Sequence, residues 1–310
     1  MNGSFESPCA VRWLSTAGLV VGLACFSHSI RTVRADEPQS PGIYAMGVDG
    51  ANFRLLVKLD GMWNGSPSFS PDGKTLFFDA SPVGGNFEQA HMYSLPADGT
   101  GEKTDLGLGN TPSVSPDGKQ LTFFVYAGNP NGDDSGVWTM NADGKGRQWL
   151  FFGRGPQWSP DGKYLAYINN PNADGYGPYL YDVEKTESRG LLDRTYRRIN
   201  GLGWSPDGKR LALIGQAGGA PELVILPISG DDRNGRVRLT GPIGWRPTWS
   251  ADGKYIVCWI NPTGSRTQLH RVEVDSDREP ELLPNQDAGR LNSDASCSAD
   301  GKQIVFMSDR

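Results

Sequence analysis

Histidine and cysteine are scarce in this chain of 310 residues, which contains three histidines and four cysteines. No two cysteines have the Cys-x-x-Cys spacing of a metal or redox motif, and so few cysteines cannot form a disulfide framework. Because the chain has only three histidines, a metal centre held by several imidazole groups is excluded as well. We interpret His91 and His270 as side chains that fill structural positions in strands. His91 directly precedes the Met-Tyr pair that starts such a strand, and His270 stands where the related segments have a tyrosine or a tryptophan.

Sequence motifs of common enzyme classes are also missing. The chain has no Gly-x-Ser-x-Gly nucleophile elbow, no phosphate-binding P-loop and no dinucleotide-binding glycine motif. Its formal net charge is −5, whereas nucleic-acid binding would require a basic face or stripe. We therefore expect no cofactor, no nucleic-acid partner and no enzymatic activity.

Only one apolar run stands out, WLSTAGLVVGLACF at residues 13–26, and it is too short to span a bilayer comfortably. Arg12 precedes this run, and Val33 and Ala35 occupy the small-residue positions that a signal peptidase reads. We interpret residues 1–35 as a signal peptide cleaved near Ala35, with an uncleaved signal anchor as the alternative. The mature chain would then be periplasmic or secreted and would carry no membrane span.

In contrast, glycine is abundant, with 41 residues, and one short motif recurs along the chain. The motif reads Ser-Pro-Asp-Gly-Lys or Ser-Ala-Asp-Gly-Lys, and successive copies are separated by 44 to 48 residues. Self-similarity at such a period indicates a repeat architecture. The six copies lie at residues 70–74, 115–119, 159–163, 205–209, 250–254 and 298–302.

Each motif has the residues of a tight turn between two antiparallel strands. Serine opens the turn, proline fixes φ at the next position, and glycine adopts a positive φ. Residues after the turn alternate between polar and apolar, as strands do. A second strand–turn–strand segment follows each first one, so one repeat contains four strands, the size of a propeller blade.

The two ends of the chain hold complementary halves of a repeat. The first half-repeat, at residues 43–57, corresponds to the second hairpin of a repeat, whereas the last half-repeat corresponds to the first hairpin. A closed ring, in which the N-terminal hairpin completes the last blade, leaves no unpaired edge. The sequence therefore predicts an all-β fold, a six-bladed β-propeller of four-stranded blades whose last blade is closed by the N-terminal hairpin.

The repeated WSPDGK segment, followed by a segment such as IYAMGVDG, resembles the repeat of TolB-type propellers. The resemblance covers residues 42–310, and it implies a stand-alone secreted propeller domain at residues 36–310. TolB itself carries an α/β domain ahead of its propeller, and we expect no such domain here. The resemblance implies the fold and leaves the function to be argued from the site.

Function in such a propeller is expected on one face. The turn motifs occupy one end of the ring, which we call the turn face. The loops between second and third strands, with the connections between blades, share the other end, which we call the loop face. Because the loop-face segments vary in length and sequence, we place the binding site there. The candidate partner-binding residues in the blade connections are Trp63, Asn64, Asn110, Arg154, Arg197, Arg198, Asn200, Trp245, Arg246, Arg290 and Asn292.

Five arginines in this set could hold a carboxylate-bearing segment by bidentate contacts. The alternative is that they satisfy loop carbonyls and ion pairs between blades. We expect a monomeric, non-enzymatic scaffold that binds a protein or peptide, with an acidic segment of an envelope protein as the partner. The alternative function is a hydrolase or lyase of extracellular polymers that uses acidic loop residues.

Two further sites follow from short segments. Asn170, Asn172 and Asp174 alternate before a glycine, like the start of a calcium loop, but Tyr181 stands where such a loop has its bidentate glutamate. We treat this loop as a weak calcium candidate beside the alternative of an ordinary polar loop. Cys258 and Cys297 could form a disulfide between neighbouring blades, provided that the ring runs in the favourable sense.

Overall fold

The computed structural model of this protein describes residues 40–170, 174–261, 264 and 266–310. The interpretation of residues 1–35 as a signal peptide lies outside the described residues, and so does Asn172. In the described part of the chain, no helix is long and apolar enough to cross a membrane. A single turn of 3₁₀ helix is found at Phe87–Gln89.

The described residues form twenty-four strands. In chain order they are β1 (Gly42–Gly47), β2 (Arg54–Val57), β3 (Met62–Phe69), β4 (Thr75–Pro82), β5 (His91–Pro96), β6 (Thr104–Leu108), β7 (Asn110–Val114), β8 (Gln120–Val125), β9 (Gly136–Asn141), β10 (Gln148–Phe151), β11 (Arg154–Trp158), β12 (Tyr164–Asn169), β13 (Gly177–Asp182), β14 (Glu187–Gly190), β15 (Arg198–Trp204), β16 (Arg210–Gln216), β17 (Glu222–Pro227), β18 (Arg236–Thr240), β19 (Ile243–Trp249), β20 (Tyr255–Ile260), β21 (Gln268–Glu273), β22 (Glu281–Leu282), β23 (Asn292–Cys297) and β24 (Gln303–Ser308).

These strands form six antiparallel sheets of four strands each. Blades 1 to 5 each use four consecutive strands, β3–β6, β7–β10, β11–β14, β15–β18 and β19–β22. Blade 6 has the order β2-β1-β24-β23 and so combines both ends of the described chain. The prediction of an all-β, six-bladed propeller is confirmed.

The first strand of each blade lies next to the central channel. These strands contact one another in the order β3, β7, β11, β15, β19 and β23, and β23 contacts β3. In blade 6, β1 pairs with β24 from Gly42, opposite Ser308, to Gly47, opposite Gln303. The Tyr44 hydroxyl also donates a hydrogen bond to the carbonyl of Arg310 at 2.8 Å.

The repeated turn is built around its serine. In blade 2, Ser115 Oγ donates to Asp117 Oδ1 at 2.6 Å and accepts the Gln120 N–H at 2.9 Å. Gly118 adopts a φ of 72°, which L side chains rarely allow. The same serine–aspartate bond recurs in the other five turns. The recurring serine, aspartate and glycine are therefore explained by turn geometry.

The hydrophobic core lies between the blades. Phe78 of blade 1 packs against Ile43 and Val305 of blade 6, and all three side chains are fully buried. Comparable clusters join blades 1 and 2, blades 3 and 4, blades 4 and 5, and blades 5 and 6. Burying one such side chain contributes about 2 kcal/mol, so neighbouring blades stabilise each other around the ring.

The candidate disulfide is not formed, because both cysteines are free. Cys258 packs with Ala212 and Ile225 in the cluster between blades 4 and 5. Cys297 packs with Val257 in the cluster between blades 5 and 6. The two thiols therefore lie on opposite sides of blade 5, and the prediction of a bridge is wrong because the ring runs in the unfavourable sense.

Candidate functional site

The wall of the channel is shaped by an irregularity in the first strand of every blade. Each of these strands changes register with its partner a few residues before the turn serine. A left-handed backbone at a non-glycine residue costs about 1–3 kcal/mol and tends to cluster at functional sites. Four non-glycine residues at these bulges have φ between 48° and 57° and line the channel cavity, namely Ser66, Thr111, Trp245 and Asp294.

Two positions of the repeat supply much of the channel wall. The residue four positions before the turn serine lines the cavity in all six blades, and these residues are Ser66, Thr111, Gly155, Gly201, Arg246 and Asp294. The ninth residue after the turn serine lines it in four blades, and these residues are Asp79, Phe124, Ile168 and Met307. Side-chain chemistry thus varies at channel positions while the turn motif stays nearly constant.

A cavity of about 530 Å³ lies where the channel meets the loop face. Phe87, Tyr126 and Tyr176 reach it from the loops between the second and third strands of blades 1, 2 and 3. Trp63 and Trp245 reach it from β3 and β19, and both are partly exposed, at 37% and 40%. Ligand pockets typically enclose about 300–1,000 Å³ and combine aromatic side chains with a few polar groups, so this cavity can accept a small molecule or a peptide segment.

The structure brings together eight of the eleven residues that the sequence proposed for partner binding. They are Trp63, Asn110, Arg154, Arg197, Arg198, Asn200, Trp245 and Arg246. The other three do not line the cavity. Asn64 is fully buried and its amide binds the carbonyl of Pro41 at 2.9 Å. Arg290 instead binds the carbonyl of Asp309 at 3.2 Å, and Asn292 is only 2% exposed.

The four arginines of the cavity differ in how far they are already engaged. Arg246 Nη2 donates to the carbonyl of Pro67 at 2.9 Å and so joins blade 5 to blade 1. The guanidinium carbon of Arg154 lies 4.2 Å from the centre of the Tyr176 ring. Arg197 and Arg198 are exposed at the rim. Arg246 therefore has a structural contact of its own, while the other three leave hydrogen-bond donors available.

Two acidic residues of the channel, Asp79 and Asp294, were missed by the sequence reasoning. Asp79 accepts the Thr111 N–H at 2.7 Å, and Asp294 accepts the Ser66 N–H. Both carboxylates lie within 3.5 Å of the point where a Cβ on Gly65 would sit. Burial raises the pKa of Asp79 to about 6, and the charge of Asp294 adds to this shift. A comparison of the repeats position by position could have found both, because each is the single acidic residue at its position.

Neither histidine of the described chain belongs to the cavity. His91 Nδ1 lies 3.0 Å from both carboxylate oxygens of Asp105, between β5 and β6. His270 Nδ1 lies 3.0 Å from the carbonyl of Gln268, and burial lowers its pKa. The cavity thus offers guanidinium, carboxylate, amide and aromatic groups.

The candidate calcium loop is only partly described, because Asn172 lies outside the described residues. Asn170 Oδ1 accepts the Gly175 N–H at 3.3 Å, and the carbonyl of Asp174 accepts from the Thr195 hydroxyl at 3.4 Å. Across residues 40–310, leaving out the few undescribed positions, no group of three or more histidines, cysteines, aspartates or glutamates could hold a metal ion. Calcium binding at this loop stays a prediction.

Comparison with known proteins identifies one family. The family model described as the TolB beta propeller domain matches residues 152–310, which is more than half of the chain. No curated protein sequence matches the chain.

Several solved structures share the fold. A TolB candidate from Agrobacterium tumefaciens superposes with a TM-score of 0.70 at 19% identity, over 87% of this chain and 98% of the other. TolB from Acinetobacter baumannii gives 0.61 at 16% identity, over 88% of this chain but only 64% of that one. An oligogalacturonate lyase from Vibrio parahaemolyticus gives 0.54 at 13% identity, over 77% and 74% of the two chains. At these identities the likeness extends to the fold alone.

Proposed function

Since the chain belongs to the TolB beta propeller family, we propose that it is a non-enzymatic scaffold that binds a protein or peptide partner on its loop face. The partner-binding residues are the eight predicted residues that line the cavity, together with the aromatic rings of the loops around them. The single observation that carries this proposal is the combination of exposed tryptophans with arginines in one concave site. Tryptophan, tyrosine and arginine are the residue types that dominate the energetics of protein interfaces.

An acidic segment of an envelope protein is the proposed partner. Four arginines line the cavity, against two carboxylates from Asp79 and Asp294, so its mouth carries an excess of positive charge. The chain as a whole has a formal charge of −5. Low-dielectric walls concentrate the field of such a cluster and attract an oppositely charged group. We propose a monomeric, exported protein, periplasmic or secreted after removal of residues 1–35.

Affinity capture tests this proposal. The protein is immobilised, incubated with an envelope extract of its host, washed and analysed by mass spectrometry. A matched pair of variants separates the two faces. Trp63→Ala with Trp245→Ala alters the loop face, whereas Lys119→Ala with Lys163→Ala alters the turn face. We expect a captured protein that is lost with the tryptophan variant and kept with the lysine variant. Loss with the lysine variant alone would place the site on the turn face.

A lyase or hydrolase acting on extracellular polymers is the second candidate function. The observation that favours it is the pair of carboxylates, Asp79 and Asp294, near Gly65 in the channel. Both carboxylates, however, already accept backbone N–H groups of the bulges. Incubation with polygalacturonate, followed by ultraviolet absorbance of the unsaturated product and by reducing-end assay, tests this function. Turnover that disappears in Asp79→Asn and Asp294→Asn would establish an enzyme in place of a scaffold.

A further inference from the structure

The charges in the cavity are distributed unevenly around the ring. Asp79 and Asp294 belong to blades 1 and 6, and Arg246 of blade 5 reaches toward them to bind the carbonyl of Pro67. The positive charge of Arg246 also slightly lowers the pKa of Asp79, against the larger effect of burial. On this side of the cavity, one arginine therefore compensates only part of the negative charge of two carboxylates.

The opposite side carries arginines without such compensation. Arg154 begins β11 in blade 3, and Arg197 and Arg198 stand at the start of β15 in blade 4. In the described part of the chain, none of these three guanidinium groups has a carboxylate within 4.0 Å. Glu88 approaches Tyr126 from blade 1, but its buried oxygen Oε2 also has no hydrogen-bond partner. Blades 3 and 4 thus form a positive wall that faces the side holding the two carboxylates.

Unpartnered polar atoms on the positive wall point to a bound group. Arg154 Nε and Asn200 Oδ1 are buried atoms with no hydrogen-bond partner, although both residues line the cavity. About 90% or more of buried backbone polar groups and most buried side-chain polar atoms are hydrogen-bonded in native proteins, so an unpartnered buried atom calls for a partner such as water, an ion or a ligand. Stacking on Tyr176 occupies one face of the Arg154 guanidinium and leaves its N–H edge for a planar carboxylate.

Apolar surface faces this wall across the cavity. Phe87, Trp63 and Trp245 are 52%, 37% and 40% exposed, and they reach the cavity from blades 1 and 5. Phe87 also stacks on Tyr126, with ring centres 6.2 Å apart. A ligand with an apolar group next to its carboxylate could contact both surfaces at once.

We propose that the cavity binds a peptide segment in one orientation, with a carboxylate held by Arg154 and Arg198 and an adjacent aromatic or branched apolar residue against Trp63 and Trp245. This inference rests on the proposed function. Asp79 and Asp294 disfavour the reverse orientation, because a carboxylate on their side would face two like charges. Arg154 and Arg198 are therefore the specificity-determining arginines, while Arg246 supports the channel wall.

The test uses random octapeptides displayed with free C-termini and selected on the intact protein. Enriched sequences should place a carboxylate within about two residues of Trp, Phe, Leu or Ile. For the most enriched peptide, labelled with a fluorophore, Arg154→Gln or Arg198→Gln should raise Kd about tenfold, as expected for loss of a charged hydrogen bond. Arg290→Gln, a loop-face arginine outside the cavity, should leave Kd unchanged. Thermal melting of each variant checks that it is folded.

Two failures are distinguishable. If the selected peptides bind equally well to the Trp63→Ala, Trp245→Ala variant, or if none is enriched, the cavity is not a peptide site and the proposed function fails with it. If binding needs the tryptophans but the enriched peptides show no preference for an Asp, Glu or C-terminal carboxylate within about two residues of an apolar side chain, or if Arg290→Gln matters as much as Arg154→Gln, the proposed function stands and the oriented recognition is overturned. Arg154→Lys, which keeps the charge, should recover only part of the affinity because it loses the planar, stacked fork.

Discussion

Asp79 shows at the scale of one residue how the channel differs from the turns. The turn aspartates accept hydrogen bonds from a serine hydroxyl and a backbone N–H, which lowers the pKa of Asp117, for example. Asp79 accepts one backbone N–H, but its burial and the neighbouring Asp294 raise its pKa to about 6. Its ionisation is therefore less favourable in the folded protein than in the unfolded chain, although the group is still mostly ionised at pH 7.

This shift predicts a pH dependence of stability. The folded protein holds the Asp79 proton more tightly than the unfolded chain, whose carboxyl has a pKa near 3.9. The contribution of Asp79 to stability is therefore fully present below about pH 4 and is lost as the pH rises through about 6. Relative to Asp79→Asn, the wild-type free energy of unfolding should increase by about 2 kcal/mol between about pH 7 and about pH 4.5. Denaturant unfolding of both proteins at the two pH values measures the difference. An equal pH dependence for the two proteins would contradict it.

The cysteines give a second prediction at this scale. Burial raises the pKa of both Cys258 and Cys297 to about 12, so neither thiol should react in the folded protein. After unfolding without reductant, alkylation and peptide mapping should find both cysteines modified. A peptide pair linked through Cys258 and Cys297 would contradict the packing on opposite sides of blade 5.

The roles of single residues could be predicted from the sequence where every copy of the repeat needs the same residue, and could not be predicted where the copies differ. Tight turns need their serine, aspartate and glycine in any propeller, so these residues could be explained before the structure. Whether Asn64 or Asn110 faces the cavity depends on strand register at the bulges, which no short motif encodes. Asp79 lies in an otherwise apolar strand, and only its position relative to the turn serine marks it as a channel residue.

At the scale of an element, the turn motif can be tested by removing one hydroxyl. Ser115 is buried, and Ser115→Ala removes both the bond to Asp117 and the acceptor for the Gln120 N–H. We expect a loss of about 1–2 kcal/mol in stability, with unchanged partner capture because the turn lies away from the loop face. Thr104→Ala, at an exposed strand position, serves as the control and should change stability by less than about 0.5 kcal/mol. A clear loss of partner capture by the folded Ser115→Ala protein would mean that the turn face takes part in binding.

Strand β1 is the element that joins the two ends of the described chain. It pairs with β24 along its whole length and places Ile43 and Ala45 in the core shared with blade 1. Deleting residues 42–50 should therefore expose the edge of β24, lower the melting temperature and cause aggregation. A variant that lacks residues 1–39 keeps β1 and should melt at the same temperature as the parent. If the deletion also melts like the parent, β1 does not stabilise blade 6.

At the scale of the whole molecule, the propeller separates stability from recognition. Cores between blades and nearly identical turns stabilise the ring, and the turns use residues that recur in the sequence. The cavity uses the positions that differ between blades, so the six copies yield an asymmetric site with a positive wall on blades 3 and 4. Repetition made the fold predictable from the sequence. The asymmetry could not be predicted, because it depends on which blade meets which across the channel.

Electrostatic attraction to the cavity predicts a salt effect on partner capture. Attraction between exposed charges weakens as the Debye length falls from about 10 Å at 0.1 M salt to about 3 Å at 1 M. Capture by the wild type should therefore decline over this range, and Arg154→Glu should both weaken capture at low salt and flatten its salt dependence. The melting temperature should be nearly unaffected, because among the residues that the structure describes no carboxylate lies within 4.0 Å of the Arg154 guanidinium. Partner capture that changes neither with salt nor with Arg154→Glu would show that charge does not contribute to recognition.

Amide hydrogen exchange with the captured partner tests most directly that the loop-face cavity is the binding site. The exchange of each peptide is compared between the free protein and the complex. We expect protection in segments that line the cavity, namely residues 62–66, 154–157 and 197–202, and no change in the turns at residues 115–119 and 159–163. Protection confined to those turns, with the cavity segments unchanged, would contradict a loop-face site.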